Sequence, residues 1–194
     1  MTLNDLSTPA ALLATRRSGK PRDLVAPGPD EAQLQRILNA AIRVPDHGKI
    51  GPWRFVIVGE DQRGALADLI TAAYRSEEPD GNPKELEKLE QFAHQAPVLV
   101  VVLSSPKTDS PIPLWEQQLS AGAACMNMVT AATAEGFAAG WLTGWPSYSP
   151  AVLRAFGSGA ERIAGFIFIG TPARALEERP RAAYDAVVSK WSLR

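Results

Sequence analysis

The stretch Arg43–Phe55, RVPDHGKIGPWRF, joins a helical pattern to the first strong strand pattern of the chain. Its two prolines and two glycines indicate a loop of defined shape, because proline fixes φ and glycine reaches conformations that other residues avoid. The stretch also combines cations with aromatic rings, which suit an anionic and aromatic ligand. It is therefore a candidate binding loop. The alternative is a plain edge-strand start with His47 as a turn residue.

The composition is that of an ordinary globular protein, with 194 residues, 45% of them hydrophobic and 21% charged. This length predicts one domain over residues 1–194. A formal net charge of -1 and a pI near 6.1 argue against nucleic-acid binding, which would need a basic face.

Cysteine and histidine are scarce. Cys125 is the only cysteine, which excludes an internal disulfide framework and a cysteine-rich metal site. With only His47 and His94 as histidines, we expect no metal centre. No apolar run reaches the length of a membrane span, and the N-terminus lacks the pattern of a signal peptide. The sequence therefore predicts a cytoplasmic protein.

Apolar periodicity predicts a chain of alternating helices and strands. The strongest amphipathic helix begins at a capping box formed by Asp30 and Gln33 and continues to Ile42. The apolar run at 97–103 predicts a central strand that is buried on both faces. The predicted helices cover 6–15, 30–42, 63–74, 84–94 and 114–137, with a short one from 149, and the predicted strands cover 55–58, 97–103 and 164–170.

Two further segments have ligand-binding chemistry. Arg16–Ser18, at the end of the first helix, offers guanidinium groups and a hydroxyl that suit a phosphate, although cations at a helix C-terminus also interact with its dipole and with solvent. Gly140–Trp145 offers glycines for close backbone approach and indoles as flat walls, although ordinary aromatic packing fits equally well. Small residues at 120–128 in the longest helix indicate a core or a subunit interface.

Together, Arg16–Ser18, Arg43–Phe55, 140–144 and Gly170–Pro172 occur in an order that resembles the nitroreductase family of flavoproteins, over about 12–174. Pro45-Asp46-His47 is similar to a small subgroup of that family. The resemblance implies an α+β, nitroreductase-like fold with a central mixed β-sheet flanked by helices. It also implies an intertwined homodimer with FMN bound at the interface.

The resemblance assigns roles to individual residues. The implied cofactor-binding residues are Arg16, Arg17 and Ser18 at the phosphate and ribityl chain, Arg43 and His47 from the other subunit, Trp141, Leu142 and Thr143 beside the flavin, and Arg174 as a further phosphate partner. Either Arg43 or Lys49 would stabilise the reduced flavin. Asp46, Lys49 and Gly51 depart from the common family pattern, which puts the shape of the pocket and its substrate in doubt.

The activity implied is that of an FMN-dependent NAD(P)H oxidoreductase. Hydride would pass from NADH or NADPH to flavin N5 and then to a nitroaromatic, a quinone or a similar small-molecule acceptor, in ping-pong order. Because the cofactor would carry the chemistry, no catalytic side chain is expected. A non-catalytic protein that binds or stores FMN is the alternative, and a flavin-free structural relative is a third possibility.

Overall fold

The computed structural model describes residues 2–193. The helices are α1 (Pro9–Thr15), α2 (Glu31–Ala41), α3 (Arg63–Glu77), α4 (Pro83–Phe92), α5 (Leu114–Ala134), α6 (Pro150–Phe156) and α7 (Tyr184–Val187). The strands are β1 (Leu24–Val25), β2 (Trp53–Val58), β3 (Val98–Ser104), β4 (Ala138–Leu142) and β5 (Arg162–Pro172). The predicted elements are present with shifted ends, whereas β1, β4 and α7 were not predicted.

The centre of the sheet is formed by β3 and β5. β5 pairs with β3 along one edge and with β4 along the other, while β3 pairs with β2 on its far side. β1 pairs with the end of β5, at Thr171 and Pro172. Every one of these pairings is antiparallel, so the expectation of a mixed sheet is wrong for residues 2–193.

The connections explain why the sheet is antiparallel. Two helices, α3 and α4, run out and back between β2 and β3, so the chain re-enters the sheet at the end where β2 finished, with Val58 opposite Leu99. α5 alone links β3 to β4, which makes those two strands parallel to each other. β5 lies between them, so they do not pair.

Helices cover both faces of the sheet, and the alternation of β3 separates two hydrophobic clusters. Leu99, Val101 and Leu103 pack with residues of α3, α4 and α6. Val100 and Val102 pack with residues of α2 and α5. All five of these side chains are 0% exposed, which confirms the prediction of a strand buried on both faces. Each contributes about 1.5–3 kcal/mol through burial.

Local signals fix the start of α2. The Asp30 carboxylate accepts from the backbone N–H of Gln33 at 2.7 Å, and the Gln33 side chain accepts from the N–H of Asp30 at 3.0 Å. The predicted capping box is therefore confirmed. Ile37 and Ala41 are buried, whereas Ile42, the last residue of the predicted helix, lies at the C-cap and is exposed.

α5 has two apolar faces. Cys125 and Met128 lie on the face buried against α2 and the sheet. Trp115, Leu119 and Met126 lie on the other face and are 67%, 53% and 40% exposed. A helix that is apolar on most sides belongs in a core or an interface, so the exposed face is a candidate surface for another protein chain.

Candidate functional site

The segment Arg16–Lys20 leaves α1 and runs beside the free edge of β4. Gly19 donates its N–H to the carbonyl oxygen of Ala139 at 3.1 Å, which ties the segment to that strand. A Cβ at Gly140 would lie 2.7 Å from the carbonyl oxygen of Gly19. Glycine is therefore needed at this point, because any side chain would push the two segments apart.

A groove of about 1070 Å³ opens between this segment, the end of β4 and helix α4. Small-molecule sites usually enclose about 300–1,000 Å³, so the groove has room for a ligand of cofactor size. Ser18, Trp141 and Leu142 line it together, whereas Thr143 is not among the lining residues. The structure thus brings together two predicted segments that are far apart in sequence.

Arg16 is a half-buried cation beside Ser18, which lines this groove, although Arg16 is not itself among the lining residues. Its Nη1 lies 3.4 Å from the Ser18 hydroxyl, and no carboxylate within residues 2–193 forms an ion pair with it. Burial lowers the pKa of Arg16, and the nearby positive charges of Arg17 and Arg181 lower it further. A cation in this environment favours an anionic ligand, which would offset both the desolvation and the repulsion.

Arg17 lies beside Arg16 but is bonded to the protein itself. Its Nε donates to Oε1 of Glu178 at 2.5 Å, and its Nη2 donates to the other carboxylate oxygen of Glu178. Its Nη1 donates to the carbonyl oxygen of Arg16 at 2.8 Å. The side chain is only 12% exposed, so Arg17 presents less of its guanidinium to the groove than its position in the sequence implied.

The segment after β5 adds cations that the sequence interpretation missed. Arg179 lines both the groove and an adjoining cavity of about 100 Å³, and the predicted Arg174 lines that cavity too. Arg181 is close enough to Arg16 to lower its pKa. The run Arg179-Pro180-Arg181 was the available signal, but its proximity to Arg16 depends on the path of the chain.

Trp141 forms a fixed wall at the edge of the sheet. Its indole N–H donates to the carbonyl oxygen of Ala164 at 3.0 Å, and 38% of the side chain is exposed. A Cβ at Gly165 would lie 2.0 Å from the indole nitrogen, so glycine makes space for the ring. Because its polar atom is already bonded, Trp141 offers a ligand mainly its flat apolar surface.

Arg43 and His47 do not line the groove of their own chain. Arg43 is exposed just beyond α2. His47 is also exposed, and its Nδ1 lies 2.7 Å from Oε2 of Glu116 at the start of α5. The structure therefore separates these two predicted residues from Ser18 and Trp141 within one chain.

The loop that carries His47 is ordered by a neighbouring carboxylate. Asp46 accepts from the N–H groups of Ile50 and Gly51 at 3.2 and 2.9 Å. The Ser120 hydroxyl of α5 donates to the carbonyl oxygen of Pro45 at 2.6 Å. Asp46, one of the departures from the common family pattern, thus fixes the turn that presents His47.

Other reactive groups contribute no site. Burial raises the pKa of Cys125 to about 12, which keeps its thiol protonated and unreactive at neutral pH. Across residues 2–193, no three His, Cys, Asp or Glu side chains are grouped so that they could hold a metal ion. The helices of the same residues are all too short or too polar to cross a membrane.

The fold and the groove define a class of protein. An edge strand, a phosphate-compatible loop and a cation-rich segment surround a large groove that is also lined by the aromatic side chains of Phe92, Trp141 and Trp145. This arrangement suits a small molecule that has an anionic end and a flat apolar part.

Comparisons with known proteins give the particular family. The model of the "Nitroreductase family" matches residues 13–171, so the chain belongs to that family. A Haemophilus influenzae protein named "Putative NAD(P)H nitroreductase" is 40% identical over 162 residues, covering 82% of this chain and 86% of the relative.

Solved structures share the fold. The nitroreductase-like family protein from Bacillus cereus superposes with a TM-score of 0.80 at 22% identity, covering 95% of this chain and 96% of its own. A nitroreductase from Bacteroides fragilis, solved with bound FMN, superposes with a TM-score of 0.68 at 21% identity, covering 93% and 96%. The nitroreductase-like α+β fold is therefore confirmed.

Proposed function

We propose that this protein is an FMN-dependent NAD(P)H oxidoreductase formed by one FMN-binding domain over residues 1–194. The observation that carries the proposal is Arg16, a half-buried cation without a carboxylate partner in residues 2–193, beside Ser18 at the edge of a large groove. Family membership and the name of the Haemophilus influenzae relative support the nicotinamide reductant. The FMN in the Bacteroides fragilis structure supports the flavin.

The residues of the groove fit FMN. A phosphate needs cations and hydrogen-bond donors. Ser18 supplies a donor at one end of the groove, Arg16 lies beside Ser18 with Arg17 next in the chain, and Arg174 lines the adjoining cavity. An isoalloxazine needs flat apolar walls, and the proposed walls are Trp141 and Leu142, with Thr143 next to them in the chain. Gly19 and Gly140 let the two segments approach closely, since a Cβ at Gly140 would lie 2.7 Å from the carbonyl oxygen of Gly19.

The chemistry supplied by bound FMN is hydride transfer from NADH or NADPH to a nitroaromatic, a quinone or a similar acceptor, in ping-pong order. The protein itself binds and orients. Arg16 and Ser18 neutralise and bond the phosphate, while the hydrogen bond from Trp141 to Ala164 holds the indole in one orientation. Arg43 or Lys49 contributes positive charge that favours the reduced cofactor.

We propose that a second copy of the chain completes this site in an intertwined homodimer. In one copy, Arg43 and His47 are exposed and do not line the groove. The exposed apolar face of α5 offers a surface for the contact, and Trp191 in the C-terminal tail is 83% exposed. The partner's loop would then bring Arg43 and His47 to the groove. Glu116 holds Nδ1 of His47, which leaves Nε2 for the ligand.

The subgroup with Pro45-Asp46-His47 is part of the same proposal. Its support is the role of Asp46. The carboxylate of Asp46 accepts hydrogen bonds from two backbone N–H groups and so fixes the shape of the loop that carries His47. A cytoplasmic location also belongs to the proposal and rests on the single cysteine.

The absorption spectrum of the protein saturated with FMN and then desalted, before and after anaerobic addition of NADH or NADPH, tests the proposal. We expect flavin bands that survive desalting and then bleach. Bands that persist without bleaching would instead indicate a protein that binds or stores FMN. Loss of all flavin on desalting would contradict both functions and leave the fold unaffected.

A further inference from the structure

The segment from Ala173 to Ala183 follows β5 and carries the cations Arg179 and Arg181. It is mostly exposed, and few contacts hold it in place. Ala173 donates its N–H to the carbonyl oxygen of Asp23 at 2.8 Å, and Leu176 packs on the core. Beyond Leu176, the position of the segment depends on contacts made by its side chains.

The carboxylates of Glu177 and Glu178 make those contacts, and they differ in geometry and exposure. Lys20 donates to the carboxylate of Glu177 at 2.8 Å, and the two side chains are 37% and 68% exposed. Glu178 instead forms a two-pronged contact with Arg17, whose side chain is 12% exposed. Bidentate pairs of this kind are geometrically specific as well as strong. The hydrogen bond from Arg17 lowers the pKa of Glu178 to about 2, so the pair is charged at neutral pH.

The contact is directly linked to the anion end of the groove. Arg17 is the neighbour of Arg16 and bonds its carbonyl oxygen at 2.8 Å. Arg179 follows Glu178 in the chain and lines the groove together with Ser18 and Lys20. A residue that fixes Glu178 therefore also fixes the position of Arg179, and Arg181 two residues later.

We propose that Glu178 is a positioning residue for the anionic end of the cofactor: by clamping Arg17 it holds the C-terminal segment so that Arg179 and Arg181 join Arg16 and Ser18. This inference rests on the proposed FMN-binding function. Arg17 acts mainly through this clamp, which accounts for its low exposure. The opposite role is that of a competitor of the cofactor: the carboxylate of Glu178 would occupy Arg17, and the phosphate would have to displace it.

The sign of one substitution separates the two roles. FMN affinity is measured by quenching of flavin fluorescence at fixed salt for the wild type, Glu178→Gln and Glu177→Gln. The clamp predicts that Glu178→Gln weakens FMN binding roughly tenfold. Glu177→Gln, the matched control in an exposed pair, should change it by less than about twofold. Unchanged or tighter binding by Glu178→Gln would overturn the proposal, and tighter binding would establish the competitor.

Riboflavin controls for a general structural effect, because it has the ring of FMN without the phosphate. The clamp predicts that Glu178→Gln leaves riboflavin affinity unchanged, whereas a damaged groove would weaken both ligands equally and contradict the clamp. A double-mutant cycle with Arg179→Gln should show coupling, since Glu178→Gln releases the segment that places Arg179 on the groove. Additive effects would contradict the proposed link.

A measurement without flavin distinguishes failure of the Glu178 clamp from failure of the proposed FMN-binding function. Trypsin cleavage after Arg174 and Arg181 reports how firmly the segment is held. Glu178→Gln should accelerate cleavage several-fold in the protein without ligand. If cleavage accelerates but the wild type binds no FMN, the proposed function fails while the clamp remains. If the wild type binds FMN and the Glu178→Gln variant matches it in both measurements, the inference alone fails.

Discussion

Arg63 and Arg16 are both withdrawn from water, yet their surroundings differ. Arg63 is 5% exposed at the start of α3, and burial lowers its pKa. Its guanidinium donates to the carbonyl oxygens of Val58, Ala93, Gln95 and Pro97 at 2.7–3.3 Å. Arg16 has one contact of 3.4 Å with a hydroxyl and lies near other cations.

The difference shows how to separate a structural arginine from a binding arginine. The donors of Arg63 are bonded to backbone carbonyls from β2 and from the turn before β3, so the cation fixes the α3–α4 hairpin onto the sheet. The donors of Arg16 are left largely unused inside the described part of the protein. Burial alone does not identify a site; burial with unused hydrogen-bond donors does.

The largest effect is expected from Arg63→Met. The change removes the guanidinium donors from four carbonyl oxygens, two of them in buried contacts. We therefore expect a loss of about 3 kcal/mol or more in the free energy of unfolding. Urea unfolding at neutral pH measures it. Arg63→Lys, which keeps the charge but has fewer donors, should give an intermediate loss. A loss below about 1 kcal/mol would mean that Arg63 is not structural.

Arg16→Gln should weaken FMN binding and leave stability almost unchanged, in contrast to Arg63→Met. Arg16 is half-buried and has no carboxylate partner within residues 2–193, so its removal should leave the free energy of unfolding within about 0.5 kcal/mol of the wild type. FMN affinity should fall roughly 10- to 100-fold, because a hydrogen bond to a charged group contributes about 1.5–3 kcal/mol. The control is Arg154→Gln on the exposed surface of α6. Retained FMN affinity in Arg16→Gln would remove Arg16 from the site.

Gly140→Ala tests whether the position of Arg16 depends on close contact with β4. The new Cβ would lie 2.7 Å from the carbonyl oxygen of Gly19, so the Arg16–Lys20 segment must shift. We expect a loss of about 1–2 kcal/mol in stability, and a fall in FMN affinity of about tenfold. Gly64→Ala is the matched control, since its Cβ meets no atom within 4 Å and α3 should gain up to about 1 kcal/mol. If Gly140→Ala behaves like Gly64→Ala, the contact does not position Arg16.

The same contrast explains how much could be predicted from the sequence. The apolar run of β3 and the capping box of α2 are local signals, and both predictions are confirmed. The shared position of Ser18 and Trp141 was expected only through the family resemblance, because the residues are far apart in the chain. The structure does place them on one groove.

Other features depend on the path of the chain. The role of Arg63 leaves no pattern in the sequence, because its partners are carbonyl oxygens, which every residue has. The proximity of Arg181 to Arg16 depends on how the segment after β5 returns to α1. The mixed sheet was expected only from the family resemblance, because the apolar strand patterns themselves give no strand direction.

A third environment, in which an arginine is paired with a carboxylate, should show the smallest effect and a defined pH dependence. Arg54 bonds Glu161 at 3.1–3.2 Å, and the N–H of Ser158 donates to the same carboxylate at 2.9 Å. The hydrogen bond from Arg54 is the main cause that lowers the pKa of Glu161 to about 2 from its usual 4.5.

Because this pKa is lower in the folded state, the pair stabilises the protein above about pH 4.5 and loses its contribution as the pH falls towards 2. Arg54 is 45% exposed, so solvent screening limits the contribution to about 1 kcal/mol. Urea unfolding of the wild type and Glu161→Gln should therefore differ by about 1 kcal/mol at pH 7, and converge near pH 2. A difference that stays constant from pH 7 to pH 2 would show that the charge of Glu161 adds nothing. The pair would then contribute only through hydrogen bonds that an amide also forms.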